Sequence, residues 1–382
     1  MFALLELLRT TDQGIEPPKP RAASSAKWLS QGQEAEWEAF VLRHPLGSIY
    51  HTNEWKRVIE EAFPHIRGRF LVLRENDSGP IYGGLPIYRV NSWLLGCRLV
   101  SVPFATVCNP LVASMEDWGV LAPELERECG RTRSKKLEIH GAVSTGQFPA
   151  SFRSRSLYRH HSLRLDPDFN ALHEHFDKKS VRQKTEKARR AGVIIQERSD
   201  IGGMIISHSL LATTRRRLSL PPMPSRFFEA MHGNLRAEHL KIFLAYQNGR
   251  PVACHIVLTF KDEWISEYSG SADGLISGVN QLLYFESIRQ ACAQGARRFS
   301  FGRTSIYNEG LLSYKRRWGT IEEKLTDFTL RRDHHNSKER QVREDAAPSE
   351  DSRLYALCKH VIAKTPLPVC KMIGNFCYRH LG

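Results

Sequence analysis

The sequence predicts an α/β (α+β) fold made of two related halves, each a mixed central sheet flanked by helices. Three observations lead there. Short β-branched and aromatic runs alternate with longer segments of helical period from Trp28 to Leu330, over a length sufficient for two domains with real cores. A strand, polar glycine turn and strand occur twice, as Phe70-Leu71 to Gly79-Pro80-Ile81 and as Phe243-Leu244 to Gly249-Arg250-Pro251-Val252. The stretch Asp262 to Leu330 then reads as strand, glycine-bearing loop, helix, strand, helix and strand.

In chain order, residues 1–27 read as a disordered lead-in, since Thr10 to Ala26 carries Pro17, Pro18, Pro20, Ser24 and Ser25. The first half spans 28–150. Trp37, Phe40 and Val41 share one helix face, and His51-Thr52-Asn53-Glu54-Trp55 opens a second helix with Thr52 or Asn53 as its cap. Strands follow at Phe70–Arg74 and Ile81–Val90 around the turn Asn76-Asp77-Ser78-Gly79, and another near Cys97–Val102. Pro103-Phe104-Ala105-Thr106 begins an irregular loop, ahead of a helix at Trp118–Cys129 and a strand at Lys136–His140.

The second half spans 151–330. It opens with a strand at Leu157–Leu165 and helical character from Phe169 to Ala191. A helix at Met204–Leu218 is broken by Pro221-Pro222-Met223-Pro224, and a further helix leads to strands at Lys241–Tyr246 and Val252–Phe260. Within the last stretch, the strand Asp262–Gly270 ends in Ser271–Gly278 and runs into the helix Val279–Gln294. A helix N-terminus behind such a loop presents free N–H groups and a positive dipole end to an anion. Arg331 to Asp351 is highly charged and reads as part of a linker over 331–352. Residues 353–382 read as an amphipathic helical segment split at Pro366 and Pro368.

Composition narrows the function. A net charge of +14, with 55 Lys and Arg against 41 Asp and Glu, favours phosphorylated partners, nucleic acid or an anionic membrane face. Eight cysteines without a CxxC pair fit reduced thiols better than a disulfide frame or zinc site. His334-His335 lacks partners at ligand spacing, so no metal is expected. No apolar run reaches the ~20 residues of a membrane span, and no export signal leads the chain, so a cytoplasmic protein is expected. GxSxG, HExxH and P-loop motifs are absent.

Several motifs then occur in order: Tyr268-Ser269-Gly270-Ser271, Asn280-Gln281-Leu282-Leu283-Tyr284, Phe299-Ser300-Phe301-Gly302, and Asn308-Glu309-Gly310-Leu311 with Tyr314-Lys315 and Trp318-Gly319. Together they resemble the FemAB-type branch of the GNAT acyltransferase superfamily. The basic helix Val181 to Val193, the segment Thr213 to Leu218 with Phe227-Phe228, His51 to Trp55 and Val102-Pro103-Phe104 are similar to further parts of that family. The tail, with Pro366-Leu367-Pro368 and Gly374, resembles the subgroup that accompanies exopolysaccharide and exosortase (PEP-CTERM) systems. The resemblance implies a tandem of two GNAT-like domains that transfers an acyl or aminoacyl group to an amine of an envelope or exopolysaccharide precursor. The donor it implies is acyl-CoA or aminoacyl-tRNA. The long helical arm of the peptidoglycan bridge enzymes has no room between Gly203 and Leu240, and Ser271-Ala272-Asp273-Gly274 to Gly278 is a degenerate CoA pyrophosphate loop, so the donor stays open.

Acyl transfer needs a positioned carbonyl, charge stabilisation on its oxygen and an amine that loses a proton. The resemblance selects Lys315 for the charge and Tyr268, at the end of a central strand, as its companion. The plainer alternatives are a solvated lysine beside Arg316 and Arg317, and a tyrosine at the core edge. Arg182 on the basic helix, Arg217, Asn280 and Glu309 are the substrate-binding candidates, for a phosphorylated or lipid-linked precursor or for tRNA. Glu267, Asp273 and Glu309 are available proton acceptors, each with a structural alternative; Glu309 suits its helix N-terminus. A non-catalytic GNAT-like module that binds phosphate or RNA is the other function class. The basic C-terminal segment would meet the inner membrane face peripherally.

Overall fold

The computed structural model describes residues 25–76, 78–142, 151–331, 362 and 365–380. The N-terminal lead-in up to residue 24, most of the charged linker with His334 and His335, and Cys358 lie outside the described residues.

Local signals build the elements. The first half comprises β1 (Ser25–Trp28), α1 (Glu34–Arg43), a 3₁₀ turn (Ile49–His51), α2 (Asn53–Ala62), β2 (Ile66–Arg74), β3 (Gly83–Ser92), β4 (Gly96–Val100), α3 (Met115–Arg131) and β5 (Lys136–Ala142). Thr52 caps α2, its Oγ1 accepting from Trp55 N at 3.2 Å, and Trp55, Val58, Ile59 and Ala62 form the buried face. The second half runs β6 (Arg153–Arg164), α4 (Phe169–Glu174), a π turn (Lys178–Arg182), α5 (Gln183–Arg190), β7 (Ile194–Glu197), α6 (Ile201–Arg217), α7 (Ser225–Asn234), β8 (Leu240–Gln247), β9 (Arg250–Phe260) and β10 (Glu263–Ser271). It continues with α8 (Val279–Ala293), β11 (Arg298–Ser305), α9 (Glu309–Arg316) and β12 (Ile321–Arg331). A last helix, α10 (Leu367–Cys377), follows.

All twelve strands join one mixed sheet in the order β1-β2-β3-β4-β5-β12-β6-β11-β10-β9-β8-β7. The order is a palindrome of pairing types about its centre. β2-β3-β4 is antiparallel and β4 is parallel to β5; β8-β9-β10 is antiparallel and β10 is parallel to β11. β12 then pairs antiparallel with β5 and β6 pairs antiparallel with β11, while β6 and β12 pair with each other. The first half thus takes its sixth strand, β12, from the far end of the second half's chain segment, while the second half is completed by its own first strand, β6. The repeat read from two hairpins is therefore a repeat of six strands.

The core crosses the same boundary. One apolar cluster combines Trp37, Trp55 and Phe63 of the first half with Phe227, Phe228 and Ile265 of the second. The Trp55 and Phe227 rings meet edge-on at 6.1 Å. A second cluster, with Phe176, Trp264, Leu283 and Trp318, fills the face under α8, and a third packs α3 on the first half.

One sequence boundary moves. β1 begins at Ser25, ahead of residue 28, because Ser25 to Trp28 pairs with Leu71 to Arg74. The halves at 28–150 and 151–330 share a sheet and a core rather than standing as separate bodies. In the tail, Pro366 and Pro368 start α10, as N-cap and within its first turn, where a missing N–H costs nothing, and Ile362 ahead of them is also helical, so the helical segment is interrupted there. α10 is docked as well as amphipathic. Tyr378 is buried in the first cluster, and its hydroxyl accepts from Arg215 Nη2 at 3.0 Å. The seven cysteines among the described residues are free.

Tyr378→Ala is expected to remove about 3 kcal/mol of stability, the typical cost of deleting a buried aromatic ring, and chemical denaturation of the full chain measures it.

Candidate active site

β10 and β11 pair over only Glu263 to Ile265 with Arg298 to Ser300, and then diverge. This opening between parallel strands is where the chemistry-bearing side chains gather. At the same level β10 carries a bulge: Ser266 faces Val257 and Tyr268 faces Ile256, leaving Glu267 as the extra residue. In a regular strand Glu267 and Tyr268 would point to opposite faces; an inserted residue re-aims one of them. Here Tyr268 packs on Phe227 and Phe228 of α7, while Glu267 reaches Tyr50 and Thr106 of the first half. Both therefore turn toward the junction of the halves. Ser266 faces the other way, its Oγ bonded to His255 Nε2 at 2.8 Å and to Tyr284 OH at 2.9 Å.

The Tyr50 hydroxyl donates a short hydrogen bond to Glu267 Oε2, and Thr106 Oγ1 lies 3.4 Å from the same oxygen. Burial raises the Glu267 carboxyl to about 7, against the opposing effect of the hydroxyls that stabilise its anion. Burial, and then the Glu267 charge, push the Tyr268 phenol well above its ordinary value.

Across the opening, β11 bends at Gly302, whose φ is +72°. A Cβ there would come within 3.2 Å of Thr106 Cγ2, so glycine lets β11 approach the first-half loop. The Gly302 carbonyl accepts from Lys315 Nζ at 2.9 Å, and the Arg303 carbonyl lies 3.5 Å from the same nitrogen. Lys315 is only 4 % exposed, unlike its neighbours Arg316 and Arg317, and burial lowers its ammonium to about 7. The solvated-lysine alternative therefore does not hold. Lys315 on the Gly302 carbonyl, and Tyr50 and Thr106 on Glu267, thus line the opening with Tyr268 beside them, and Gly302 meets the Thr106 methyl between the two groups.

The other sequence candidates sit elsewhere. Arg217, at the end of α6, clamps the loop after β10: it donates to Ala272 O at 3.1 Å, Asp273 Oδ1 at 3.0 Å and Ser271 Oγ at 2.9 Å. Asn280 lies in the first turn of α8, and its Oδ1 is buried without a hydrogen-bond partner. That helix start is not open on all sides. Gly278 has φ +104°, and a Cβ on it would come within 2.0 Å of Lys184 O, because α5 packs directly against it. Glu309 is exposed on α9 and paired with Arg316 at 2.9 Å, which is the helix-complementing role. Arg182 lines a separate cleft of about 680 Å³ with His173, Lys178, Lys187, Arg190 and Phe285. Its Nε is buried without a partner, and Arg189 lies 4.6 Å over the Phe285 ring. Tyr284 and Phe285, adjacent on α8, reach Ser266 of β10 and the cleft respectively.

Glu267 was visible in the sequence only as one of several carboxylates; the bulge that aims it leaves no local signature. Tyr50 and Thr106 escaped, although each adjoins a first-half motif, His51 to Trp55 and Val102 to Phe104. Among the described residues, no helix is long and apolar enough to cross a membrane, and no group of three or more His, Cys, Asp or Glu could hold a metal ion.

Residues 176–316 match the family model of the acetyltransferase (GNAT) domain. That match lies within the second half, which has the GNAT fold. The whole chain has the tandem form of that fold: it is similar to the crystal structure of FemX with a TM-score of 0.63 at 13% identity, over 81% of this chain and 97% of that one. A tandem GNAT protein from the clavulanic acid biosynthesis pathway gives 0.52 at 10% identity, over 82% and 100%. The C-terminal domain of a putative lysylphosphatidylglycerol synthetase from Agrobacterium fabrum gives 0.50 at 11% identity, over 78% and 92%. The comparison with curated proteins gives no match. In this FemAB-like acyltransferase fold the strand opening with Glu267, Tyr268 and Lys315 belongs to the GNAT domain, and Tyr50 and Thr106 reach it from the other half.

The raised carboxyl has a stability consequence. Glu267 ionises near 4.5 when unfolded and near 7 when folded, so the native state is penalised as pH rises through this window, and the penalty is full above about 7. Glu267→Gln is expected to stabilise the protein at pH 8 by about 1–3 kcal/mol, with the gain shrinking toward pH 4, as read by denaturant melts across pH.

Proposed function

We propose that the protein is an N-acyltransferase that moves an acyl or aminoacyl group onto an amine of a cell-envelope or exopolysaccharide precursor, with the reaction centred on the β10–β11 opening. The observation that carries this reading is the pairing of a buried carboxylate and a buried lysine, both shifted to about 7, on two sides of one strand opening. An attacking ammonium must lose its proton, and a base with a pKa near the working pH is suited to take it. Glu267 is assigned that role, with Tyr50 holding the carboxylate in place. The tetrahedral intermediate places negative charge on the former carbonyl oxygen. Lys315 supplies compensating positive charge there or at a neighbouring phosphate, and an anion arriving beside it would restore its ammonium form. Tyr268 lines the acceptor side of the opening.

Donor and acceptor share the need for phosphate recognition. Acyl-CoA, aminoacyl-tRNA and lipid-linked precursors all carry it, and the net charge of +14 suits each. Arg182, with the arginines and lysines of its cleft, is assigned to a phosphate group of one substrate. Arg217 acts by fixing the loop that leads into α8, and Asn280, with its free Oδ1, by contacting the substrate that occupies that loop. Glu309 is left with support of α9. The protein is assigned to the cytoplasm, at the inner membrane face. A phosphate- or RNA-binding module without catalysis remains the second reading, supported by the Arg182 cleft.

The test is turnover by purified protein with donors identified from co-purified ligand mass. Lys315→Met is expected to lower kcat/KM on the order of 10²-fold or more, the scale of one lost oxyanion contact, while leaving the melting profile cooperative. Undiminished turnover in that variant would sink the catalytic assignment; salt-sensitive RNA binding without turnover would favour the second reading. The rate should be greatest near pH 7, falling on the acid side as Glu267 is protonated and on the alkaline side as Lys315 loses its proton, with the alkaline limb displaced upward when a bound anion holds the ammonium. Glu267→Gln should remove the acid limb alone.

A further inference from the structure

An exposed apolar surface is built from two segments far apart in the chain. The β3–β4 hairpin closes through Trp93, Leu94 and Leu95, which are 80%, 57% and 45% exposed. Three consecutive large apolar residues at a hairpin tip do nothing for the core and invite association with another apolar phase. α10 supplies the rest. Val369, Met372 and Phe376 are 45%, 70% and 53% exposed, and their spacing of three and four puts them on one stripe. The opposite side of α10, through Cys370, Gly374 and Tyr378, is buried.

His380 welds the two segments. Its Nδ1 is 2.9 Å from Ser92 Oγ, and its ring meets Trp93 edge-on at 5.2 Å and Phe376 at 5.2 Å. Trp93, His380 and Phe376 thus form one continuous rim, held by docked secondary structure. Charge distinguishes this patch from an ordinary protein contact. Neither 89–98 nor 365–380 contains an Asp or Glu, whereas they carry Arg89, Arg98, Lys371 and Arg379. Lys135 joins them at the tip, its Nζ donating to Leu95 O at 2.9 Å.

We propose that the Trp93-Leu94-Leu95 tip and the Val369-Met372-Phe376 stripe of α10 form one docking surface for a bilayer carrying anionic phospholipid. The apolar side chains enter the headgroup boundary, a depth suited to an indole ring, while Lys135, Lys371 and Arg379 meet lipid phosphates. Neither set alone suffices for stable attachment; apolar insertion and basic attraction act as two signals. The surface deepens the reading of an envelope-facing transferase, because it would bring the strand opening to a lipid-linked acceptor. It is tested without any substrate, so that the two readings fail separately.

The full chain is mixed with vesicles of phosphatidylcholine containing phosphatidylglycerol, and with vesicles of phosphatidylcholine alone, and sedimented. Binding is expected to the anionic vesicles, weakening as salt rises. Leu94→Ser with Met372→Ser, both outside the packed core, should lower the vesicle partition coefficient roughly tenfold or more. Lys371→Glu with Arg379→Glu should do likewise, by a route independent of the apolar change. Glu267→Gln should bind as the unaltered chain does. Full binding by both double variants, or equal binding to neutral vesicles, would overturn the proposal. So would light scattering showing that the unaltered chain dimerises and the Leu94→Ser, Met372→Ser variant does not, since the patch would then cover a second copy.

Discussion

The pairing of β6 with β12 at the middle of the sheet is the constraint on which the rest depends. The two strands run together from Ile321 opposite Ser162 to Thr329 opposite Arg153. β6 opens the second half and β12 closes it, yet β12 also completes the first half through β5. Asp327 marks the point where the three parts are tied. Its Oδ1 accepts from Gly141 N of β5 at 2.8 Å, and its Oδ2 accepts from Arg303 of β11 at 2.9 Å. The Arg303 guanidinium in turn lies 3.7 Å over the Tyr158 ring of β6. The bulge in β12 around Asp327 exposes that carboxylate to both neighbours. Because the ties run through backbone ladders, the halves cannot rotate freely against each other, and Tyr50 and Thr106 are held over Glu267 by the sheet itself.

That rigidity explains how an unfavourable pair of ionisable groups persists. A carboxyl held near 7 and an ammonium held near 7 each resist their charged form in the folded state, and each costs stability at neutral pH. Neither has a full counter-ion. Glu267 is held by hydroxyls and Lys315 by carbonyls, partners that orient a side chain without neutralising it. Shifts of this kind gather where function needs a group poised between two protonation states. The cost is tolerable because the surrounding sheet and the shared apolar cluster are extensive.

The elements were legible where a period or a cap announces itself. Thr52 caps α2, Asn308 caps α9 with its Oδ1 accepting from Leu311 N at 3.1 Å, and the two hairpins fall where Gly79 and Gly249 place them. Motif resemblance singled out Lys315 and Tyr268, and the fold puts both beside the β10–β11 opening. Long-range geometry was not legible. Nothing local in Glu263-Trp264-Ile265-Ser266-Glu267-Tyr268 marks where a partner strand lacks a residue, so the bulge that turns Glu267 inward is a property of the pairing. The same holds for the fate of similar cations: Lys315 and Arg316 are adjacent, yet one is buried against Gly302 and the other is paired outside with Glu309 and Glu322. Helix phase relative to a neighbouring strand decides between them, and that phase is set in three dimensions. Arg217 reads as a substrate-binding candidate in sequence, and in the fold it is paired with Asp273 and the loop backbone.

The symmetry of the sheet raises a sharper question, why the two equivalent openings are lined so differently. β4 and β5 diverge much as β10 and β11 do, pairing directly only at Leu99 and Val100. In the first half the chain after β4 lies across its own gap. Cys108 N donates to His140 O at 3.4 Å, Gly84 and Leu111 bond each other's backbone, and Val107 abuts Gly141. Cys108 and Leu111 are buried there, so the gap is filled by apolar chain. The equivalent loop of the second half, from Ala272 to Gly278, is drawn aside by Arg217 and seated against α5. The segment that plugs the first opening projects Thr106 into the second. The first half thus fills its own gap while supplying a wall to the other, and the candidate site draws on side chains of both halves.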